Sequence, residues 1–185
     1  MNLYRIFHSF YEKAAKEMSL DCRDFIKEGS KILDLGCGSG IVGKKFQDYF
    51  KAELIGIDVK DRRLEKIPFQ RFNGRDIPFS ENNFDVVLIS YVLHHAGDPT
   101  ALLKEAKRVG ERVIVYEDMP EGFFSRLFCR LHGISFDKLF GNSNPTSFRT
   151  EKKWEDIFKE IGLNLIFKKE IKNFPVKKEL FVLGV

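Results

Sequence analysis

Apolar and polar positions along the chain change their period twice. Leu3, Ile6, Phe7, Phe10, Tyr11, Ala14 and Met18 recur at helical spacing, which predicts an amphipathic first helix laying that stripe on the body of the protein. A second short helix is predicted to end at Gly29. From Lys31 the period shortens: KILDL, ELIGID, FQRF, FDVVLIS and RVIVYE are short β-rich runs separated by segments long enough for helices. Several are apolar on consecutive residues. Strands buried on both faces have that pattern, so a parallel sheet with helices above and below is expected.

Punctuation between the runs supports the alternation. In GDPTALLKEAKRVG, Asp98 is placed to cap the first free amides, Pro99 suits the first helical position, and Gly110 is expected to end the helix in the left-handed conformation. TEKKWEDIFKEIG repeats the logic, with Thr150 as cap, Trp154, Ile157, Phe158 and Ile161 as the buried stripe, and Gly162 as the stop. LNLIFKKEI and KELFVLGV, joined by a short segment with Pro175, are expected to pair as an antiparallel hairpin on one edge of the sheet. Between Asp118 and Arg149 the rhythm is lost, and residues 118–149 are expected to form an insertion over the carboxyl edge of the sheet. Residues 1–29 are expected to form a helical cap.

At 185 residues the chain has length for one domain with a real core, taken as spanning 1–185. Its longest apolar runs fall short of a bilayer span, and the N-terminus lacks a collected apolar region of the signal-peptide kind, so a cytoplasmic location is expected. Cys22, Cys37 and Cys129 form no CxxC or Cys/His cluster, so neither a disulfide framework nor a metal site is indicated. A net charge of +4 permits a nucleic-acid partner without requiring one, because the Lys-rich C-terminal quarter is interleaved with glutamates.

Candidate chemistry concentrates in ILDLGCGSG. A glycine-rich turn that leaves the first strand and opens a helix lets backbone amides approach a ligand. The dinucleotide fingerprint G-x-G-x-x-G is not met, because after Gly36 and Gly38 the required position holds Ile41 and the third glycine, Gly40, comes one residue early. Asp34 just before the turn opposes a phosphate and suits a ligand carrying an ammonium or sulfonium cation.

Asp34-Leu35-Gly36-Cys37-Gly38-Ser39-Gly40 resembles the first motif of class I S-adenosylmethionine-dependent methyltransferases, and the likeness extends from about Lys31 to Glu117. The small single-domain members are the subgroup it is most similar to. The resemblance implies an α/β, Rossmann-like three-layer sandwich with a mostly parallel seven-stranded sheet and an antiparallel C-terminal edge hairpin. It implies S-adenosyl-L-methionine as cofactor, held by Asp34, Gly36, Gly38 and Gly40, and by Asp58 and Val59 at the tip of the second strand, where a carboxylate accepts bonds from ribose hydroxyls. Asp76 is placed to take the adenine amino group and the Ile77 amide to face the ring. Ser90, at the end of the fourth strand, falls near the methionine part, and Tyr11 resembles an aromatic that relatives place over the cofactor, with core packing as its competing role.

Such a reaction needs alignment first, worth roughly 7–11 kcal/mol, and a positioned base second, worth about 10²–10⁴-fold. Candidate bases are His95 and His94, beyond the fourth strand, and His132 in the insertion; adjacent histidines there are expected to point different ways. Phe123, Phe124, Phe128, Phe136, Phe140 and Phe148 are expected to wall an acceptor pocket, with Arg126, Arg130 and Arg149 available to an anion. The expectation is a small-molecule methyl acceptor, partly apolar or anionic. SYVLHH replaces the Asn/Asp-Pro-Pro-aromatic tetrapeptide, so amino-methylation of nucleic-acid bases lacks its signature. A nucleic-acid or protein methyltransferase and a non-catalytic cofactor-binding partner subunit remain as alternatives. Oligomeric state is open.

Overall fold

Strands β1 and β4 bury nearly every side chain because each has a layer of helix on both faces. A computed structural model describes residues 8–129, 147–172 and 175–185. Leu3, Ile6 and Phe7 lie outside the described residues, as do Arg130, His132, Phe136 and Phe140. The elements are α1 (His8–Asp21), β1 (Lys31–Leu35), α2 (Ile41–Phe50), β2 (Glu53–Asp58), β3 (Phe69–Arg71), β4 (Val86–Ser90), a 3₁₀ turn (Leu93–His95), α3 (Pro99–Val109), β5 (Arg112–Met119), helical residues 122–129, α4 (Glu151–Glu160), β6 (Asn164–Ile171) and β7 (Lys177–Gly184).

One seven-stranded sheet runs in the order β3-β2-β1-β4-β5-β7-β6. The first five are parallel, and β7 pairs antiparallel with both β5 and β6. The chain therefore reverses its direction of travel across the sheet between β1 and β4. Ligands in open α/β sheets bind at such a switch point, outside the carboxyl ends of the strands.

Alternate residues of each strand feed two cores. Leu33, Leu35, Val87, Ile89, Val113, Val115, Phe181 and Leu183 face Leu102, Leu103 and Ala106 of α3 and Trp154 and Phe158 of α4. Ile32, Leu54, Val86, Leu88, Ile114, Tyr116, Leu180 and Val182 face Met18 of α1 and Phe46 and Phe50 of α2. This is the expected three-layer sandwich. Tyr116 is sealed in the second core with its hydroxyl donating to Met18 O at 3.0 Å, so burial of the phenol leaves no polar atom unpaired.

Several local expectations are corrected. Phe10 is exposed, and the inward stripe of α1 runs through Ala15, Met18 and Ser19. The second helix is not formed between Asp21 and Lys31: residues after Asp21 form hydrogen-bonded turns, and Gly29, at φ +79°, turns the chain and donates its N–H to Phe50 O. Gly110 closes α3 in an extended conformation, φ −131°, not a left-handed one. Its smallness matters instead, since a Cβ there would lie 2.6 Å from Val87 Cγ2. The two helix caps are as expected: Asp98 Oδ1 accepts from Ala101 N at 2.9 Å and Thr150 Oγ1 from Lys153 N. In the C-terminal hairpin β7 is the buried member, whereas β6 is an exposed edge carrying Lys168, Lys169 and Glu170, charges that discourage edge pairing.

Candidate functional site

The glycine turn sits at the carboxyl end of β1, beside β4 across the switch point. Gly36, Gly38 and Gly40 all have positive φ, 77°, 51° and 77°, conformations open to glycine at no steric cost. Gly36 is further constrained because a Cβ would collide with the Val92 side chain, so the turn and the exit from β4 touch backbone to side chain. The turn is anchored from β2: the Gly36 and Cys37 amides donate to Ile57 O at 2.8 and 3.1 Å, and the Gly38 amide to Asp58 Oδ2 at 2.9 Å.

Asp34 lies beneath this turn and not on its outer surface, at 1% exposure. Its carboxylate accepts from the Gly43 amide in the first turn of α2, a helix start whose cap, Gly40, has no side chain to offer. Its Oδ2 is buried without a partner. Burial and the neighbouring Asp58 charge push the Asp34 carboxyl up to about 7, against the Gly43 bond, which lowers it. Gly43 is absent from the sequence candidates, although its signal was present: a glycine inside a helix costs about 1 kcal/mol relative to alanine and needs a packing reason. The reason is that a Cβ would stand 2.5 Å from Asp34 Oδ2.

Around the tip of β2 the residues expected on the adenine side make the following contacts. Asp58 remains at the strand end, accepting from Gly38 N and, at 3.3 Å, from Lys60 N, with lone pairs to spare. Val59 is partly exposed beside it. The Ile77 amide, expected to face the ring, instead donates to Glu105 Oε2 at 2.9 Å, and its side chain is buried. Arg108 locks this arrangement by binding Glu105 and the carbonyls of Ile77 and Phe79. Asp76 is exposed and accepts from Asn73 Nδ2 at 2.8 Å. The loop residues that come back to β2 are Phe72, whose amide donates to Asp58 O at 3.2 Å, and Gly74, where a Cβ would be 3.0 Å from Val59 Cγ1. Phe72 and Gly74 thus stand at the end of β2, on the Asp58 side of the loop, whereas Asp76 is exposed. A shift of a few residues inside a polar turn has no periodicity to reveal it.

At the end of β4, Ser90 Oγ is buried without a hydrogen-bond partner. Tyr91 follows in the left-handed region, φ 59°, a conformation costly for a bulky residue and common near sites. The two histidines come next, with ring centroids 4.2 Å apart. They touch, contrary to the expectation that they point different ways. His94 is 5% exposed and His95 more open. His94 Nδ1 lies 2.6 Å from Oε2 of Glu117, a fully buried carboxylate on β5 whose Oε1 accepts from Leu93 N at 2.8 Å. Glu117 is likewise absent from the sequence candidates, although an acidic residue within the apolar run RVIVYE is itself a signal. The far side of the His94 ring stacks on Phe148 at 4.8 Å, and the Ser147 amide donates to His94 O at 2.7 Å.

Other expected residues fall further out. Tyr11 is half-buried on α1, which is tied to the loop beside the glycine turn by His8 Nε2 and Glu65 Oε1 at 2.9 Å. Phe123 and Phe124 are 75% and 83% exposed, and Arg126 is exposed. Arg149 stacks on Trp154, its guanidinium carbon 5.0 Å from the ring.

Comparison with known proteins decides what the glycine turn belongs to. The family described as "Methyltransferase domain" matches residues 33–112, the span from β1 to the start of β5. Across that span the chain matches a methyltransferase domain, the kind of protein its glycine turn resembles. It is similar to the demethylmenaquinone methyltransferase of Bacillus subtilis, 29% identical over 175 residues, which cover 75% of this chain and 72% of that protein. It is 31% identical to an uncharacterized methyltransferase of Schizosaccharomyces pombe over 46% of this chain, and spans only 37% of that protein's length. Among solved structures, a methyltransferase of Methanosarcina mazei superposes with a TM-score of 0.70 at 18% identity, covering 89% of this chain and 96% of that one. The methyltransferase residues at the turn fit the cofactor of this family, S-adenosylmethionine. The partnerless Asp34 oxygen leaves an unused acceptor under the turn, the left-handed glycines clear side chains from it, and Asp58 retains acceptor capacity.

Proposed function

We propose that the chain transfers a methyl group from S-adenosylmethionine to a small, partly apolar or anionic acceptor. The observation that carries the reading is the glycine turn itself, three left-handed glycines closed against Val92 and tied to Asp58, set over a buried carboxylate at the switch point of the sheet. In this reading Gly36, Gly38 and Gly40 admit the methionine part, with Ser90 beside it, and Asp34 acts through its field from below. Asp58 takes the ribose hydroxyls, Val59 lines the adenine side, and Phe72 and Gly74 stand on the Asp58 side of the loop. Tyr11 covers the site from α1.

The bound cofactor supplies an electrophilic methyl group, so the protein's tasks are to align the acceptor, exclude water and receive a proton. Phe148 against His94 furnishes an apolar wall next to an ionisable group, which suits an acceptor with an aromatic or alkyl body and a polar reacting atom. The quinone in the name of the Bacillus subtilis relative has such an apolar ring-bearing body. His94, with its carboxylate partner, is the stronger base candidate of the two histidines.

The test is calorimetry with S-adenosylhomocysteine and with NAD, followed by transfer of labelled methyl from S-adenosylmethionine to a panel of reduced quinones, aromatic acids and total RNA. Binding of the homocysteine compound alone and label in the small molecules is expected. NAD binding would overturn the reading of the turn. Label confined to RNA would overturn the acceptor class, and binding without any transfer would favour a non-catalytic partner subunit.

A further inference from the structure

The pair of buried groups on β5 and the 3₁₀ turn is chemically one-sided. Glu117 has no exposure, and each of its oxygens already receives one hydrogen: Oε1 from the Leu93 amide at 2.8 Å and Oε2 facing His94 Nδ1 at 2.6 Å. An ionised carboxylate only accepts, so the short contact requires Nδ1 to carry the proton, and the lone pair of the neutral ring is then on Nε2. The ring cannot turn away from this choice. Phe148 stacks on it at 4.8 Å with 21° between planes, His95 packs against it, and its own carbonyl is held by the Ser147 amide. Directly across the strand pair, Glu117 meets Glu179 of β7, which is 2% exposed and has one oxygen without a partner. Two carboxylates so placed do not both ionise easily in a low-dielectric site. Burial raises the Glu179 carboxyl.

We propose that Glu117 is a positioning residue for methyl transfer: it fixes His94 as the Nδ1–H tautomer and stabilises the ring when Nε2 takes the acceptor's proton. The step balances. The lone pair of the acceptor atom forms the bond to the methyl carbon, the pair of the broken carbon–sulfur bond stays on sulfur, and the proton released by the acceptor goes to Nε2, giving an imidazolium beside the Glu117 carboxylate. A buried glutamate in an apolar strand is costly as a structural element alone, and serving a backbone amide and a histidine at once gives it a purpose. This rests on the reading of His94 as the acceptor-side base.

The experiment is ¹⁵N NMR of the histidine rings in the full chain, with His94 assigned by the signals lost in His94→Gln. The unmutated protein is expected to show the Nδ1–H tautomer at His94; an Nε2–H tautomer overturns the proposal without any variant of Glu117. In Glu117→Gln the side chain has one acceptor and one donor for two hydrogens. Serving Leu93 N–H turns its amide NH₂ toward Nδ1 and forces the Nε2–H tautomer. That flip is expected with S-adenosylhomocysteine affinity unchanged within about twofold, and with turnover of whichever panel compound accepts the labelled methyl reduced about 10²–10⁴-fold at unchanged KM. An unchanged tautomer and turnover in Glu117→Gln would sink the role of Glu117 while leaving the cofactor reading standing. Absent S-adenosylhomocysteine binding in the unmutated chain would remove the reading beneath it.

Discussion

The Asp34 carboxylate and Gly43 are packed so closely that the glycine's own amide is a hydrogen-bond donor to the acid, while a Cβ at Gly43 would stand 2.5 Å from Asp34 Oδ2. One contact thus joins the end of β1 to the first turn of α2, and the glycine turn between them is the loop this contact closes. Substituting either partner tests whether the cofactor turn depends on it.

Gly43→Ala is expected to destabilise the protein by about 1–3 kcal/mol, from overpacking against a fixed buried carboxylate. Helix propensity alone predicts the opposite sign, a gain of about 1 kcal/mol. Urea denaturation reads the sign directly, and a more stable Gly43→Ala would show that the contact yields without cost.

Asp34 predicts a pH dependence with a definite direction. Its carboxyl is raised from 3.8 to about 7 in the folded state, so between those values the folded chain holds a proton that the unfolded chain has released. Stability from this group is therefore present below pH about 4, falls as pH rises toward about 7, and is level above that. A rise of that size corresponds to roughly 4 kcal/mol at most. Thermal or urea midpoints across that window, compared between the unmutated chain and Asp34→Asn, should show the downward slope in the former only. Parallel curves would contradict the buried, partnerless placement of Asp34.

In the proposed acceptor site the two histidines should separate cleanly. His94→Gln is expected to lower turnover about 10²–10⁴-fold while leaving S-adenosylhomocysteine affinity in place. His95→Gln is expected to have a smaller effect, since His94 and not His95 holds the buried carboxylate. A larger loss at His95 would reverse the assignment.

On the adenine side, Gly74→Val should weaken S-adenosylhomocysteine binding, because Gly74 has φ +83° and its Cβ position is 3.0 Å from Val59 Cγ1. Asp76→Ala, at an exposed side chain away from β2, should change it little. Calorimetry on the two variants distinguishes the loop placement from the sequence-based one, which expects the reverse order.

How much of this was legible beforehand differs between elements for physical reasons. β1, β2, β4 and β5 announced themselves as apolar runs because helices cover both of their faces. The helix of residues 99–109 was legible from Asp98 and Pro99, since capping is a local event between neighbours in sequence. β6 was legible as a strand of an edge hairpin, but not as its outer member with Leu165, Ile166 and Phe167 exposed. Gly110 was legible as a helix end, but its close approach to Val87, a residue on another strand, was not.

The sequence by itself determined the layers, the parallel sheet with its reversed last strands, and the glycine turn with Asp34 and Asp58. These follow from periodicity and from the spacing of residues close along the chain. Packing settled that Asp34 is sealed under the turn against Gly43, that Ile77 gives its amide to Glu105, that Phe72 and Gly74 return to the end of β2, and that His94 is paired with Glu117. Each of those contacts is made between residues that belong to separate elements or loops and are brought together by packing, and no local pattern encodes such a meeting.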